Sequence, residues 1–232
     1  MFEQINSRGF LNREHTGEYA EIEFDTYVSG RGTEEIESIT TGIHYHEKGE
    51  GLPLILVHGI GQSAYTWRKN FEELSEHFHV YAIDLPGHGF SGRPQISYSI
   101  EEMALAIEAF MNAMELPSAS FCAFAESTGY VLDFAQHNPE RVDRLIFISP
   151  MVSVPGRGRS RGILSVFGSI AQKMMLNLQT IKSTLEDCYF DRTLVTDQVA
   201  EEYFNVISDK DFKIIARLSI SNFIDEDVVA AI

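Results

Sequence analysis

Ser120-Phe121-Cys122-Ala123-Phe124-Ala125-Glu126-Ser127-Thr128-Gly129 is an apolar run that passes without a spacer into a helical stretch. The run, 120–125, reads as a strand buried on both faces, and 128–136 as a helix stopped by Asn138-Pro139. Across the junction lies Ala125-Glu126-Ser127-Thr128-Gly129, a small-x-Ser-x-Gly element. A sharp strand-to-helix turn lifts a serine hydroxyl off the sheet edge on strained backbone, and its flanking positions must be small because strand and helix crowd them. Ala125 and Gly129 meet that demand. A serine beside a glycine also marks ordinary turns, so the surroundings have to decide.

Working outward, 52–57 is another apolar run, ending in His58-Gly59-Ile60-Gly61, and 80–85 a third, stopped by Pro86-Gly87-His88-Gly89. Between them Trp67, Phe71, Leu74 and Phe78 recur at i, i+4, i+7 and i+11, the spacing of one helical face. Ser99 and Glu102 stand in capping-box spacing ahead of a stripe of Met103, Ile107, Phe110, Met111 and Met114. With a further strand at 145–149, strands alternate with helices, which predicts a parallel sheet covered on both faces through right-handed crossovers. Two strand-like stretches upstream, 18–24 and 39–45, are separated by a polar segment at 29–37 and predict an antiparallel entry hairpin. After Pro150 the character changes. A basic loop, 155–161, leads into helical periodicity at 163–178, 196–207 and 209–220 with no convincing strand. The expected organisation is an α/β core over 1–150 and a helical cap over 151–232.

Composition excludes several function classes. The chain has 232 residues, with 18 Lys plus Arg against 34 Asp plus Glu and a net charge of −16. Such a balance repels nucleic acid and anionic membrane, so neither is an expected partner. No stretch resembles a secretory signal or an 18-residue apolar span, which leads to an expectation of a cytoplasmic protein. Cys122 and Cys188, 66 positions apart, fit neither a disulfide framework nor a zinc pattern, and no metal site is expected. Arg157, Arg159 and Arg161 read as a solvated loop, Trp67 as core, and Met174, Met175, Phe190, Tyr203 and Phe204 as packing within the helical region or the lining of a pocket above Ser127.

Leu54-Ile55-Leu56-Val57-His58-Gly59-Ile60-Gly61, Trp67, Asp84-Leu85-Pro86-Gly87-His88-Gly89-Phe90-Ser91, the Ser127 pentapeptide and Asn138-Pro139-Glu140-Arg141-Val142 occur in the order of the α/β-hydrolase superfamily. The chain resembles the cap-bearing branch of esterases and carbon–carbon bond hydrolases over 39–150. The resemblance implies a doubly wound, mostly parallel sheet with an inserted helical cap, a small-molecule substrate, and no metal or organic cofactor. It implies Ser127 as nucleophile of an esterase-like acyl transfer, with the backbone N–H groups of Ile60 and Thr128 as oxyanion hole. A serine rather than an aspartate there disfavours dehalogenase and epoxide-hydrolase chemistry. Two departures stand out: Ala125 replaces a usual glycine, and Tyr130 stands where a second glycine is common.

A serine nucleophile needs a base, and in this fold the chain order is Ser, acid, His. No histidine follows His137, and no later segment resembles the strand that carries the acid. The expectation is therefore that the last strands, the acid and the histidine lie beyond Ile232, and that the 232-residue chain alone is nearly inactive. His58 and His88 fit backbone-organising turns better than a base, and Glu126 is not expected to be the catalytic acid. The alternatives are a non-catalytic ligand sensor on the same fold and an inactive fragment. Substrate identity and oligomeric state are left open.

Overall fold

The structure, a computed structural model, describes residues 17–30, 33–151 and 177–225. Six strands form one sheet in the order β1-β2-β4-β3-β5-β6. The first two, β1 (Glu18–Gly30) and β2 (Thr33–Lys48), make the antiparallel entry hairpin. It is longer than the sequence pattern implied. Ser29 and Gly30 on one side and 33–37 on the other belong to the ladder, with Ser29 opposite Glu34 and Gly30 opposite Thr33, because backbone pairing does not require apolar side chains. Ala20, Ile22, Phe24 and Thr26 face inward along β1, with Glu21, Glu23 and Asp25 outward.

The remaining strands are β3 (Pro53–Val57), β4 (His79–Ile83), β5 (Ala119–Phe124) and β6 (Val142–Ile148). β4, β3, β5 and β6 are mutually parallel, and β2 joins β4 antiparallel. Burial on both faces of β3 follows from period two: Ile55 and Val57 enter the larger core, Leu54 and Leu56 the smaller. The larger core lies under α2 (Ile100–Ala113) and α3 (Ser127–His137) and is anchored by Phe110, Phe121 and Phe134, all fully buried. The smaller lies under a 3-10 turn, Ala64–Trp67, and the short α1 (Phe71–Ser75). The stripe of Trp67, Phe71, Leu74 and Phe78 does face this core, but on a broken helix rather than a continuous one. Nothing in the apolar spacing reports that break.

The capping box forms as its spacing predicts: Ser99 Oγ accepts from Glu102 N–H, and the Glu102 carboxylate accepts from Ser99 N–H. That carboxylate is also held by Thr26 Oγ1 at 2.7 Å and Ser97 Oγ at 2.6 Å, which joins α2 to the hairpin. β6 is the outermost strand of the described sheet and leaves Ile146 and Ile148 about half exposed.

Beyond β6 the described chain is helical: α4 (Leu178–Cys188), α5 (Asp197–Ser208) and α6 (Phe212–Asp225). α4 is an addition to the expected helices. The basic loop at 155–161 and nearly all of the helix expected at 163–178 lie outside the described residues. The C-terminal segment contacts the connections that follow β3 and β4 through Arg68 to Tyr189 Oη (3.3 Å), Arg93 to Asp209 (3.7 Å) and Asn222 Nδ2 to Ser97 O (2.7 Å). No helix among the described residues is long and apolar enough to cross a membrane.

Candidate functional site

The carboxyl ends of β3, β4 and β5 meet the C-terminal helices, the position at which open α/β sheets bind ligands. Three segments converge there. The 58–62 loop follows β3, the 84–91 turn follows β4, and the junction at 125–128 follows β5.

The junction bends at Ala125, not at Ser127. Ala125 has φ +56°, a left-handed conformation that costs a non-glycine residue about 1–2 kcal/mol. Its N–H bonds Ile148 O (3.0 Å) and its carbonyl accepts from Met151 N–H (3.1 Å), so the end of β6 holds the strained residue. Ser127 comes two residues later, as the first residue of α3, and is completely buried. Its Oγ lies 3.1 Å from Val57 O and 2.9 Å from Phe124 O, and accepts from Phe124 N–H at 3.0 Å. The hydroxyl is turned into the strand ends, whereas the sequence pattern predicted a side chain facing a cavity. The physical reason is register: the strand ends at Phe124, so the sharp turn falls on Ala125, and Ser127 is already helical.

The same shift alters the expected oxyanion donors. Thr128 N–H bonds Ala125 O at 3.3 Å within the first helical turn, and its buried Oγ1 has no partner among the described residues. Ile60 lies where expected, on the loop after β3, half-buried beside Gly61. That loop is internally braced, with Gln62 N–H on Gly59 O (3.1 Å) and Gly59 N–H on Gln62 Oε1 (3.3 Å). Gly61 has φ +72°, and a side chain there would meet Ile207 and Phe212, so the C-terminal helices close directly over the loop.

Both histidines of the site organise backbone. His58 Nε2 accepts from Leu85 N–H (3.0 Å), which fixes its proton on Nδ1, donating to Gly59 O (2.8 Å). Burial lowers its pKa. His88 Nδ1 contacts Pro86 O at 3.1 Å, and burial pushes the ring down to about 3, so it is neutral. Asp84, whose side chain the sequence pattern left without a role, is the hub of the 84–91 turn. Its Oδ1 accepts from Ala64 N–H (2.6 Å), and its Oδ2 from His44 Nδ1 (2.7 Å) and Phe90 N–H (2.9 Å). Burial pushes this carboxyl up, but the hydrogen bonds and charge of its neighbours, His44 first, outweigh burial and bring it to about 2.

Glu126 was the residue hardest to foresee. It is 6% exposed, its Oε1 has no hydrogen-bond partner among the described residues, and its Oε2 lies 3.4 Å from where a side chain on Gly59 would begin. Burial raises its carboxyl to about 7, partly offset by a hydrogen bond from its own backbone N–H. The sequence did hold a signal for the register. Ala123-Phe124-Ala125-Glu126-Ser127 is also flanked by small residues, so two overlapping frames offset by two positions satisfy the crowding rule. Among the described residues no group of three or more acidic, cysteine or histidine side chains is arranged to hold a metal.

A model of the alpha/beta hydrolase fold family matches residues 53–178. A 2-hydroxymuconate semialdehyde hydrolase of a Pseudomonas species is 32% identical over 175 residues, covering 71% of this chain and 58% of that protein. A haloalkane dehalogenase of Agrobacterium fabrum is 28% identical over 140 residues, covering 60% of this chain and 46% of that one. Among solved structures, a meta-cleavage product hydrolase from Pseudomonas fluorescens superposes with a TM-score of 0.65 at 28% identity, over 82% of this chain and 68% of its own. The chain thus spans about half the length of these two curated relatives. A family match over more than half of the chain, on the sheet order and strand-end geometry described above, makes this protein a member of the α/β-hydrolase fold family.

Proposed function

We propose that this protein binds a small carbonyl-bearing molecule between the strand ends and the C-terminal helices, and does so without forming an acyl-enzyme at Ser127. The observation that carries this reading is the sealing of the Ser127 hydroxyl against Val57 O, Phe124 O and Phe124 N–H. In this fold a nucleophile occupies the strained residue of the strand-to-helix turn, with the next backbone N–H as oxyanion donor. By that rule the nucleophile's position is held by Ala125, whose methyl group cannot attack a carbonyl. Both ring nitrogens of His58 are committed to backbone, so His58 is not free to act as a base, and the buried His88 is held neutral. Of the alternatives drawn from sequence, this favours the ligand-binding member over the hydrolase.

The rival reading is hydrolysis of an ester or carbon–carbon bond through Ser127, with Ile60 and Thr128 as donors and a base and acid contributed from outside residues 1–232. It draws on the relatives, which are named as hydrolases. It requires Ser127 Oγ to abandon its backbone partners and Thr128 N–H to leave Ala125 O. A fluorophosphonate probe separates the two readings. The full-length protein and its Ser127→Ala variant are incubated with the probe, digested and analysed by mass spectrometry, alongside short-chain ester hydrolysis. The expected result is no adduct on Ser127 and no turnover removed by the substitution. A stoichiometric adduct on Ser127 would refute the proposal and restore the acyl-enzyme.

A further inference from the structure

We propose that Glu126 is the ligand-holding side chain of this site: as a neutral acid its carboxyl donates a hydrogen bond to the carbonyl oxygen of a small, otherwise apolar ketone or ester. The inference rests on the reading that the turn at Ala125 performs no nucleophilic attack. It starts from an imbalance in polar pairing. A buried polar atom without a partner is costly, and native structures retain few of them without a reason. Glu126 Oε1 is such an atom, on a side chain 6% exposed, at the residue directly after the strained Ala125. Nearby, the other carboxyl oxygen abuts Gly59, whose open side also faces the ring of Phe124. Two residues on, Gly61 faces Ile207 and Phe212 of the C-terminal helices. Among the described residues the side chains that these two glycines face are thus apolar apart from the Glu126 carboxyl itself, with the Phe124 backbone carbonyl beside it.

That setting selects the ligand class. A carboxylate in apolar surroundings repels an anion and leaves a neutral acceptor without a donor, whereas the protonated acid offers one O–H. With its own backbone N–H already bonded to the carboxyl, the free, buried oxygen is the one left to carry the proton. A ligand carbonyl that accepts from this O–H completes the orphan, and apolar atoms suit the neighbouring Phe124, Ile207 and Phe212. Ionisable groups on the surrounding elements are His58 on the 58–62 loop, Asp84, His88 and Arg93 after β4, Tyr130, Asp133 and His137 on α3, Asp197, Glu201, Glu202 and Tyr203 on α5, Asp209, Lys210 and Asp211 ahead of α6, and Lys213 and Arg217 on α6. None of these appears among the causes of the raised Glu126 pKa, which are burial and the opposing backbone bond. With the carboxyl titrating at about 7, binding is a property of the protonated fraction.

The test uses the full-length protein and acetophenone, a non-ionising aryl ketone, with affinity read by ligand-observed NMR at pH 5.5 and 8.5. The protonated fraction falls about thirtyfold between these values for a group titrating near 7, and the apparent affinity should fall with it. Glu126→Gln keeps a neutral N–H donor in the same volume and should bind equally at both pH values. Glu126→Ala should lose binding at both. In the unsubstituted protein, carbon-13 NMR of the glutamate carboxyls should show acetophenone raising the Glu126 midpoint, a readout that does not depend on a variant folding. Equal affinity at the two pH values, unchanged binding by Glu126→Ala, or no binding of the ketone at either pH would overturn the proposal. Those outcomes leave the case against an acyl-enzyme standing, since it falls only if Ser127 takes the phosphonate.

Discussion

Replacing Asp84 by asparagine tests whether the turn after β4 is held by a charge. The carboxylate is 1% exposed and accepts three donors, Ala64 N–H on Oδ1 and His44 Nδ1 and Phe90 N–H on Oδ2. An amide supplies one oxygen. If that oxygen keeps the two donors on the Oδ2 side, the amide NH2 is forced against Ala64 N–H, donor to donor. One buried donor left unpaired costs about 1–3 kcal/mol, and two charge-assisted bonds weakened to neutral ones lose roughly 1 kcal/mol each. The expected total is about 3–5 kcal/mol, the range seen when one member of a buried ion pair is removed. The pH dependence has a definite sign. A carboxyl lowered from 3.8 to about 2 on folding contributes stability that is fully present above pH 4 and lost as pH falls through 2. That contribution is roughly 2 kcal/mol. Urea denaturation followed by far-ultraviolet circular dichroism, at pH 7 and at steps down to pH 2.5, measures both quantities. The gap between the two proteins should be large at pH 7 and narrow below pH 4. A gap under about 1 kcal/mol at pH 7, or one that does not change with pH, would refute the view that an ionised Asp84 organises this turn.

Glu126 carries the opposite dependence. Its carboxyl is raised from 4.5 to about 7 on folding, so its contribution is complete below pH 4.5 and is lost as pH rises through 7. Glu126→Gln should therefore stabilise the protein by about 3 kcal/mol at pH 8 and by little at pH 4.5, as read by urea midpoints at the two pH values. Removing the N-cap of α2 in Ser99→Ala should cost about 1 kcal/mol and lower the thermal midpoint by a few degrees, because Glu102 remains held by Thr26 and Ser97. A loss above 3 kcal/mol would mean that Ser99 organises more of the Glu102 cluster than its cap.

Periodicity and punctuation along the chain were enough to determine the strand and helix order through β6, apart from the break after Trp67, the parallel β3–β6 core with its antiparallel hairpin, and the capping box at Ser99. Each of these rests on short-range rules: period two against period 3.6, a Ser and Glu three apart, Pro-Gly pairs that stop a strand. The family was legible too, since its motifs are local strings in a set order. The register of the turn after β5 was not, because two small-x-x-x-small frames overlap there and both fit between a strand and a helix. Only the pairing of Phe121, Ala123 and Phe124 with Leu145, Phe147 and Ile148 decides where the strand ends, and so makes Ala125 the strained residue and Ser127 a buried one. The roles of Asp84 and Glu126 were equally out of reach. One carboxyl meets three donors spread over 47 positions of sequence, the other lacks a partner for one oxygen, and that contrast is created by tertiary burial rather than by any pattern along the chain.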